Sequence, residues 1–323
     1  MYLNVHSQYS LRFGTMSIPK LVSEAQSLGI NQMVLTDINN STGIMEFMRA
    51  CKEKDIKPIG GIEFRRDKKL LYLGIARNKE GMKELNDFLT EYNFSGKPFP
   101  DQCKIFNNAY VIYPFSHAAD LRENEFLGIR HDELNQLYVR DLAPLKTKLV
   151  ALQSVVVADK VDYRLHEYLR GIDLNTLLTK VGWEDKCKLT DQFLPPGELE
   201  AKFSKYPFIL DNTRQLMNRC VMDYSQGKIK LNRQTFTGNK DDDRGLLEKL
   251  AYEGMIYRYG KNNKQAARNV KQELKVIFEL DFCAYFLITW DNIRYSMGQG
   301  FYHVGRGSGA TSTVAYCLRI TDV

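Results

Sequence analysis

The residues with the clearest chemical potential form a glycine-rich loop at positions 305–309, which reads Gly-Arg-Gly-Ser-Gly and leads into an apolar helical run. Glycines let backbone N–H groups approach an anion, a helix N-terminus is partly positive, and an arginine offers a planar fork of donors. The pattern predicts a phosphate-binding loop in which Arg306 and Ser308 contact a nucleotide, supported by the N–H groups of Gly305, Gly307 and Gly309. The alternative is a simple glycine turn in which Arg306 bonds backbone carbonyls.

Phosphoryl chemistry at such a loop also needs carboxylates that hold Mg²⁺ beside the phosphate. The sequence stops at Val323 with no pair of carboxylates after the loop. We therefore expect these residues to be the front part of a longer protein and to contain no catalytic residue. Without a bridging Mg²⁺, we expect them to bind a nucleotide no more tightly than about 1 mM.

Three further polar residues stand where short apolar runs end. His6 follows the run at 2–5, Asp37 follows the run at 32–36, and Glu63 lies near the end of the run at 58–64. In parallel α/β folds the functional site lies at the carboxyl ends of the strands. Their positions make these three residues a second candidate site.

The elements that position these residues alternate between strands and helices. Strands are predicted at 2–5, 32–36, 58–64, 70–76, 110–113, 137–139 and 149–157, and helices at 18–28, 43–54 and 80–89. Ser17 is a predicted N-cap, with Pro19 in the first turn and Gly29 at the end of that helix. Strand–helix–strand units that repeat about every 25–30 residues argue for a parallel sheet, and seven or so strands favour a barrel over an open sheet.

The second half of the sequence is mainly helical, with helices predicted at 198–205, 212–224, 242–258, 264–281 and 284–298. A polar segment at 232–243 marks the predicted domain boundary, which gives domains 1–231 and 232–323. Three consecutive aspartates, Asp241 to Asp243, favour a solvated helix start over a metal site, because adjacent carboxylates complement the helix dipole and point in different directions.

Composition sets broad limits on the kind of protein. The net charge of +6 permits contact with nucleic acid without requiring it. Six cysteines with no CxxC pair are typical of reduced, buried thiols, and no apolar stretch approaches the ~20 residues that cross a bilayer. With no leader-like segment after Met1, the sequence favours a soluble cytoplasmic protein with no membrane partner.

Several motifs together resemble the bacterial DNA polymerase III alpha (C-family replicative polymerase) family. Residues 4–7, 35–40 and 57–63 are similar to strand motifs of its amino-terminal PHP (polymerase and histidinol phosphatase) domain. Residues 282–288, the loop at 305–310 and the segment 314–322 look like the start of its palm. The approach to the loop, His303-Val304, departs from the Gly-Pro-Gly-Arg pattern that is usual in the family.

The resemblance implies an α/β fold, a PHP-type distorted (βα)7 barrel followed by a mostly helical, incomplete palm segment. It implies a parent DNA-directed DNA polymerase, a nucleotidyltransferase of DNA replication that uses Mg²⁺, DNA and dNTPs. The family's paired catalytic aspartates come after the loop, so this fragment itself is expected to be inactive and to need no cofactor. A proofreading exonuclease subunit is an implied partner of the PHP domain, and other replicase subunits would bind through regions beyond residue 323.

The resemblance also implies that the PHP metal site is degenerate, since active members hold up to three metal ions. The family's first histidine is replaced by Asn4, its Thr-Asp-His becomes Thr-Asp-Ile38, and the aspartate of its Ser-Leu-Leu-Asp-Gly becomes Phe13. A late Asp-x-His falls on residues 154–156, and His117 remains a possible ligand. We expect a vestigial cleft with no metal, formed by Asn4, His6, Asp37 and Glu63, in which His6 and Glu63 bond each other or the backbone.

Two other functions remain open from the sequence. One is a metal-dependent PHP phosphoesterase or 3′–5′ exonuclease, which the lost ligands disfavour. The other is an adaptor that binds a protein through the face of the barrel. Basic residues could face DNA, although a solvated surface is the simpler interpretation for Lys57, Arg65, Arg66, Lys68 and Lys69.

Overall fold

The computed structural model describes residues 1–116, 120–139, 141–223 and 232–322. The chain divides into two compact units, Met1–Tyr224 and Ser225–Val323. The predicted boundary at 231/232 falls at the end of residues 224–231, which lie outside the described residues, so that boundary stays a prediction. Among the described residues, no helix is long and apolar enough to span a membrane.

The first unit is built on one eight-stranded sheet of order β7-β6-β5-β4-β3-β2-β1-β8. The strands are β1 Tyr2–Val5, β2 Gln32–Leu35, β3 Lys57–Arg66, β4 Lys69–Ala76, β5 Ala109–Pro114, β6 Glu125–Ile129, β7 Leu149–Ala151 and β8 Ser154–Val155. The helices are α1 Ile18–Ser27, α2 Ile44–Glu53, α3 Lys79–Ser95, α4 Lys160–Asp173, α5 Pro196–Lys202 and α6 Pro207–Asn218.

The sheet must curl, because its two edge strands are neighbours in sequence. β7 and β8 lie at opposite edges but are joined by only Leu152 and Gln153. Ala151 and Ser154 are therefore three Cα–Cα steps apart, at most about 11 Å. Residues 149–155 thus act as one interrupted strand that pairs with β6 on one side and β1 on the other. The curled sheet is consistent with the predicted PHP-type barrel of seven strand positions, and the α/β fold class is confirmed.

Four details of the strand prediction were wrong. β4 is antiparallel to β3 and β5, because the two-residue link at Asp67 and Lys68 makes a hairpin and is too short for a crossover. β6 was missed, and the predicted strand at 137–139 lies in a 3₁₀ helix, His131–Val139. The predicted strand at 149–157 is interrupted at Leu152 and Gln153.

Local signals placed α1 correctly. The Ser17 side chain accepts a hydrogen bond from the Lys20 N–H, and Gly29 follows the helix with φ 71°. One face of the helix buries Leu21, Val22 and Ala25 against the sheet. That packing fixes α1 and therefore the far end of the loop, residues 6–17, that joins β1 to α1.

The second unit is helical, with α7 Lys240–Tyr259, α8 Lys264–Glu279, α9 Cys283–Gly298 and the short α10 Thr313–Cys317. Its core brings together apolar residues of all four helices, among them Leu247, Val270, Leu287 and Val314. A Cβ on Gly254 would lie 2.0 Å from the Cys317 carbonyl oxygen, so α7 and α10 pack in direct backbone contact. Of the three aspartates that open α7, Asp241 and Asp242 are exposed, as predicted. The prediction was wrong for Asp243, which is buried and accepts hydrogen bonds from the Phe236 and Thr237 N–H groups.

Candidate functional site

His6, directly after β1, and Glu63, which lies within β3 and not at its end, come together in the structure. The His6 Nε2 atom lies 3.2 Å from a Glu63 carboxylate oxygen, and the Asn4 amide donates to the same oxygen at 3.1 Å. All three side chains are buried. The predicted His6–Glu63 contact is therefore present in the structure.

Glu63 has a third partner that the sequence did not single out in this role. Arg65, two residues further along β3, donates from Nε to the other Glu63 oxygen at 2.6 Å and also contacts it through a second nitrogen. Burial alone would raise the pKa of the Glu63 carboxyl, but Arg65, His6 and Asn4 lower it to about 2. Alternation along the strand places residues 63 and 65 on one face, which is the signal that could have revealed this pair.

Asp37 does not join this cluster. Its carboxylate accepts hydrogen bonds from the Ser7 N–H, the Ser7 hydroxyl and the Ser10 hydroxyl, each at 2.7 Å. The Ser10 hydroxyl also lies 3.2 Å from His6 Nδ1 and accepts from the Ile38 N–H. Asp37 thus fixes the loop after β1 and does not present oxygens to the cleft.

Phe13 fills the space beside His6 with an apolar ring. Its ring is 7% exposed and makes edge contacts with the rings of His6 and His166, with centroid separations of 5.6 and 4.8 Å. The guanidinium carbons of Arg65 and Arg170 lie 4.5 and 5.6 Å from its centroid. These distances are within the range of cation–π contacts.

His166 of α4 supports the Phe13 loop as a neutral imidazole. Its Nδ1 donates to the Phe13 carbonyl at 2.7 Å, and its Nε2 accepts from the Cys187 N–H at 2.9 Å. Burial lowers the pKa of His166 to about 4. Protonation of Nε2 would place two donors against each other, so this contact requires the neutral form.

The neutral state of His166 predicts a loss of stability in mild acid. Its pKa is about 4 when folded and about 6.5 when unfolded, so its contribution is complete above about pH 6.5 and is lost as the pH falls towards 4. Glu63 loses its own contribution only below about pH 4.5. We expect the urea midpoint of the first unit to fall between pH 6.5 and 4.5, and His166→Gln to flatten that slope. His131→Gln is the comparison: burial also lowers the pKa of His131, but that histidine is less buried, so its loss should flatten the slope less. A slope unchanged in His166→Gln would contradict this role.

Most of the basic residues considered for DNA contact form ion pairs or hydrogen bonds within the first unit. Arg66 pairs with Asp101 at 2.7 Å, Lys68 pairs with Asp185, and Lys57 donates to backbone carbonyls at the end of α6. Lys69 is exposed. Their intramolecular bonds favour the interpretation of these residues as structural. The other possible ligand, His117, lies outside the described residues.

In the second unit, the glycine loop folds against the segment that follows α10. A Cβ on Gly305 would lie 2.7 Å from the buried Thr321 hydroxyl, and Gly307 has φ 83°, so both positions require glycine. A 3₁₀ turn, Ser308–Thr311, separates the loop from α10, and the side chains of Arg306 and Ser308 are exposed. The loop therefore presents its polar groups to solvent, and it does not open directly into a helix as the sequence suggested.

A carboxylate already occupies the start of α10. Glu273 of α8 accepts from the N–H groups of Thr313 and Val314, both at 2.9 Å, and from the Ser312 hydroxyl at 2.7 Å. Burial alone would raise the pKa of Glu273, but these three donors hold it below its usual value. An anion at the loop would have to use the exposed groups of residues 305–309 instead.

An apolar groove of about 840 Å³ lies along the start of α9. Phe282 and Tyr285 are 47% and 61% exposed and line it together with Leu280 and Ile288, whereas Leu287 points into the core of the unit. The motif at 282–288 thus contributes some side chains to the core of the unit and others to the exposed groove.

Comparison with known proteins identifies both parts of the chain. The PHP domain model matches residues 3–138, and the model described as the bacterial DNA polymerase III alpha NTPase domain matches residues 245–323. The chain is 29% identical over 365 aligned residues to the DNA polymerase III subunit alpha of Halalkalibacterium halodurans, an alignment that covers 100% of this chain and 32% of the relative. Along its whole length this chain is similar to bacterial DNA polymerase III alpha subunits. The resemblance inferred from the motifs is confirmed.

Other polymerases show the same extent of similarity. The Bacillus subtilis DNA polymerase III subunit alpha is 28% identical over 363 residues, covering 100% of this chain and 32% of the relative. The error-prone DNA polymerase of Symbiobacterium thermophilum is 27% identical over 376 residues, covering 100% and 34%. The chain therefore spans about a third of the length of the curated relatives it matches.

Glu273 lies within residues 245–323, the segment that the polymerase III alpha model matches, and its contacts can be tested. We expect Glu273→Ala to destabilise the second unit by about 2 kcal/mol, because it leaves the partly buried donors at the start of α10 without an acceptor. Glu273→Gln keeps one acceptor oxygen and should lose less. Urea unfolding followed by Trp290 fluorescence in a Trp183→Phe background measures this, since Trp183 is 84% exposed. A urea midpoint unchanged in Glu273→Ala would contradict this role of the carboxylate.

Proposed function

We propose that this chain is the N-terminal part of a bacterial replicative DNA polymerase, in which the first unit is a scaffold without hydrolytic activity and residues 232–323 begin the palm. Similarity to polymerase III alpha subunits along the whole chain supports the polymerase context. Template-directed synthesis, with Mg²⁺, DNA and dNTPs, would belong to the longer protein. The 323 residues alone are expected not to polymerise DNA.

The observation that carries the scaffold role is the arrangement of Glu63, Arg65 and Phe13. A divalent cation needs several oxygen or imidazole donors with free lone pairs facing one point. Glu63 already accepts from Asn4, contacts His6 and bonds Arg65, and an apolar ring fills the adjoining space. The donor set does not fit a metal, and within the described ranges no group of three or more His, Cys, Asp or Glu residues is arranged to hold one.

In this proposal the guanidinium of Arg65 takes the electrostatic role that a metal has in an active PHP domain. It neutralises the buried Glu63 carboxylate without presenting a Lewis acid or a bound water. The cleft therefore holds the carboxyl edge of the barrel together and cannot activate a nucleophile.

A phosphoester hydrolysis assay tests the scaffold role. The chain, supplied with Zn²⁺ or Mn²⁺, is incubated with p-nitrophenyl phosphate diesters and with a 3′-labelled DNA strand, and Glu63→Gln is the matched control. We expect no turnover above that of the control. Hydrolysis that a chelator abolishes and that Glu63→Gln lacks would instead establish the phosphoesterase or exonuclease.

We further propose that Arg306 and Ser308 contact the triphosphate of an incoming nucleotide in the longer polymerase. Their exposure and the glycine requirement at Gly305 and Gly307 support a loop kept open to a ligand. For the 323-residue chain we expect a fluorescent dNTP to bind no more tightly than about 1 mM with Mg²⁺. Saturation well below that concentration, abolished by Arg306→Ala, would show that the loop binds without further carboxylates.

The barrel is also proposed as a docking surface for a separate proofreading exonuclease subunit, as the family resemblance implies. A pull-down with such a subunit tests this, with Glu63→Gln as a control for the cleft itself. Absence of binding to the chain and to the complete polymerase would reject the docking role while leaving the polymerase context intact.

A further inference from the structure

Helix α4 of the barrel unit carries an apolar stripe on its outer side. Val161, Leu165, Tyr168 and Ile172 are 77%, 44%, 46% and 64% exposed. Their spacing of four, three and four residues places them on one face of the helix, in the pattern of a helix–helix seam. A helix at a protein surface normally turns such a stripe towards the core.

The inner side of α4 is polar and makes several hydrogen bonds to the rest of the first unit, so the helix cannot rotate to bury the stripe. Asp162 accepts from Lys20 Nζ at 2.8 Å, and Arg170 Nε donates to the Asp185 carbonyl at 2.7 Å. His166, one turn away from each, is bonded on both ring nitrogens as described above. The orientation of the helix is fixed by these contacts, and its apolar side remains outside.

We infer that this stripe is the interface between two copies of the chain, paired through antiparallel α4 helices. The four stripe residues are spaced four, three and four positions apart, and this spacing is the same in either chain direction. A two-fold axis midway between Leu165 and Tyr168 therefore superimposes the stripe of one copy on that of an antiparallel second copy. Val161 then faces Ile172 of the second copy, and Leu165 faces Tyr168 of the second copy. Every apolar position in the stripe meets an apolar position.

The charges at the ends of α4 agree with this antiparallel arrangement. The same symmetry places the exposed Lys160 opposite Asp173 of the second copy, once at each end of the pair. Asp173 bonds Arg170 and Arg12 within its own chain and still has about a third of its side chain exposed. A parallel arrangement would set lysine against lysine instead.

A groove receives the end of the partner helix. Tyr168, Gly171, Ile172 and Leu178 line a groove of about 690 Å³ at the C-terminal end of the stripe. In the antiparallel pair, Val161 of the second copy lies over this groove. The contact of four side chains per copy is smaller than the ~800 Å² per partner of a standard interface, so we expect a weak dimer with Kd on the order of 10–100 μM.

Sedimentation equilibrium of the 323-residue chain, from about 1 to 300 μM, tests the inference. We expect a reversible monomer–dimer equilibrium that Leu165→Glu weakens by at least about tenfold. Lys160→Glu, which sets two acidic groups opposite each other, should weaken it by several-fold. Phe94→Glu on α3 is the matched control, because Phe94 is 89% exposed and lies outside the stripe.

The outcomes decide between clear alternatives. A chain that stays monomeric up to 300 μM overturns the inference, as does a dimer that Leu165→Glu leaves intact. Circular dichroism of Leu165→Glu should match that of the parent chain, because the residue is exposed. The result is independent of hydrolysis and of polymerase activity, so failure here would leave the proposed function untouched.

Discussion

Replacing Arg65 with methionine is expected to lower the free energy of unfolding of the first unit by about 3–5 kcal/mol. The substitution removes the guanidinium that contacts the completely buried Glu63 carboxylate and leaves that charge, among the described residues, with only its contacts to Asn4 and His6. Methionine keeps much of the side-chain volume, so the loss would report charge and not packing. Urea unfolding followed by far-ultraviolet circular dichroism at pH 7 measures it.

A double substitution provides the control for this prediction. Glu63→Gln alone is expected to cost about 1–3 kcal/mol, because it replaces charged hydrogen bonds by neutral ones. In Glu63→Gln with Arg65→Met no buried charge remains, so the combined loss should be clearly smaller than the sum of the two single losses. Additive losses would mean that Arg65 does not neutralise Glu63.

Phe13→Ala is expected to destabilise the same unit by about 3–5 kcal/mol, because it opens a cavity among His6, His166 and two guanidinium groups. Phe13→Leu, which retains most of the apolar volume, should lose about 1–2 kcal/mol. The ratio of the two losses in unfolding free energy, measured by urea unfolding, shows whether the Phe13 ring fills the cleft. A loss below 1 kcal/mol for Phe13→Ala would contradict that packing.

Phe13→Asp extends this test to metal binding. The substitution restores the carboxylate that the family resemblance implies at this position. With Glu63 held by Arg65, we expect the variant to be at least as unstable as Phe13→Ala and to gain nothing from Zn²⁺ or Mn²⁺. A metal-dependent increase in its stability would show that the cleft retains a usable ligand set.

The sequence was sufficient for those parts of the fold that depend on local pattern. β1, β2, β3 and the cap at Ser17 follow from apolar runs and a single hydroxyl. β4 runs antiparallel to β3 because the link between them, Asp67 and Lys68, is too short for a crossover. The predicted pattern of strand–helix units did not take the length of that link into account. The strand at 137–139 was wrong because only Leu137 of that segment is fully buried, and tertiary packing selected a 3₁₀ helix.

The candidate sites depend on contacts between residues distant in sequence, which pattern reasoning reaches only in part. The pairing of His6 with Glu63 was predictable because both were expected at strand ends of one sheet edge, although β3 continues beyond Glu63 to Arg66. The Phe13–His166 contact spans 153 residues, and that between Glu273 and Thr313 spans 40, so neither has a local signature. Arg65 was interpreted as a surface base, although its two-residue offset from Glu63 already placed both side chains on one face of β3.

Metal content of the purified chain, measured by elemental mass spectrometry after dialysis against Zn²⁺ and Mn²⁺ and removal of free metal, tests the scaffold account most directly. Parent chain, Glu63→Gln and His6→Ala would be compared in the same buffer. The account predicts fewer than about 0.1 metal ions per chain in all three, since Arg65 already neutralises Glu63 and Phe13 fills the cleft. One or more ions per parent chain, lost in Glu63→Gln or His6→Ala, would contradict it and show that the barrel keeps a metal centre.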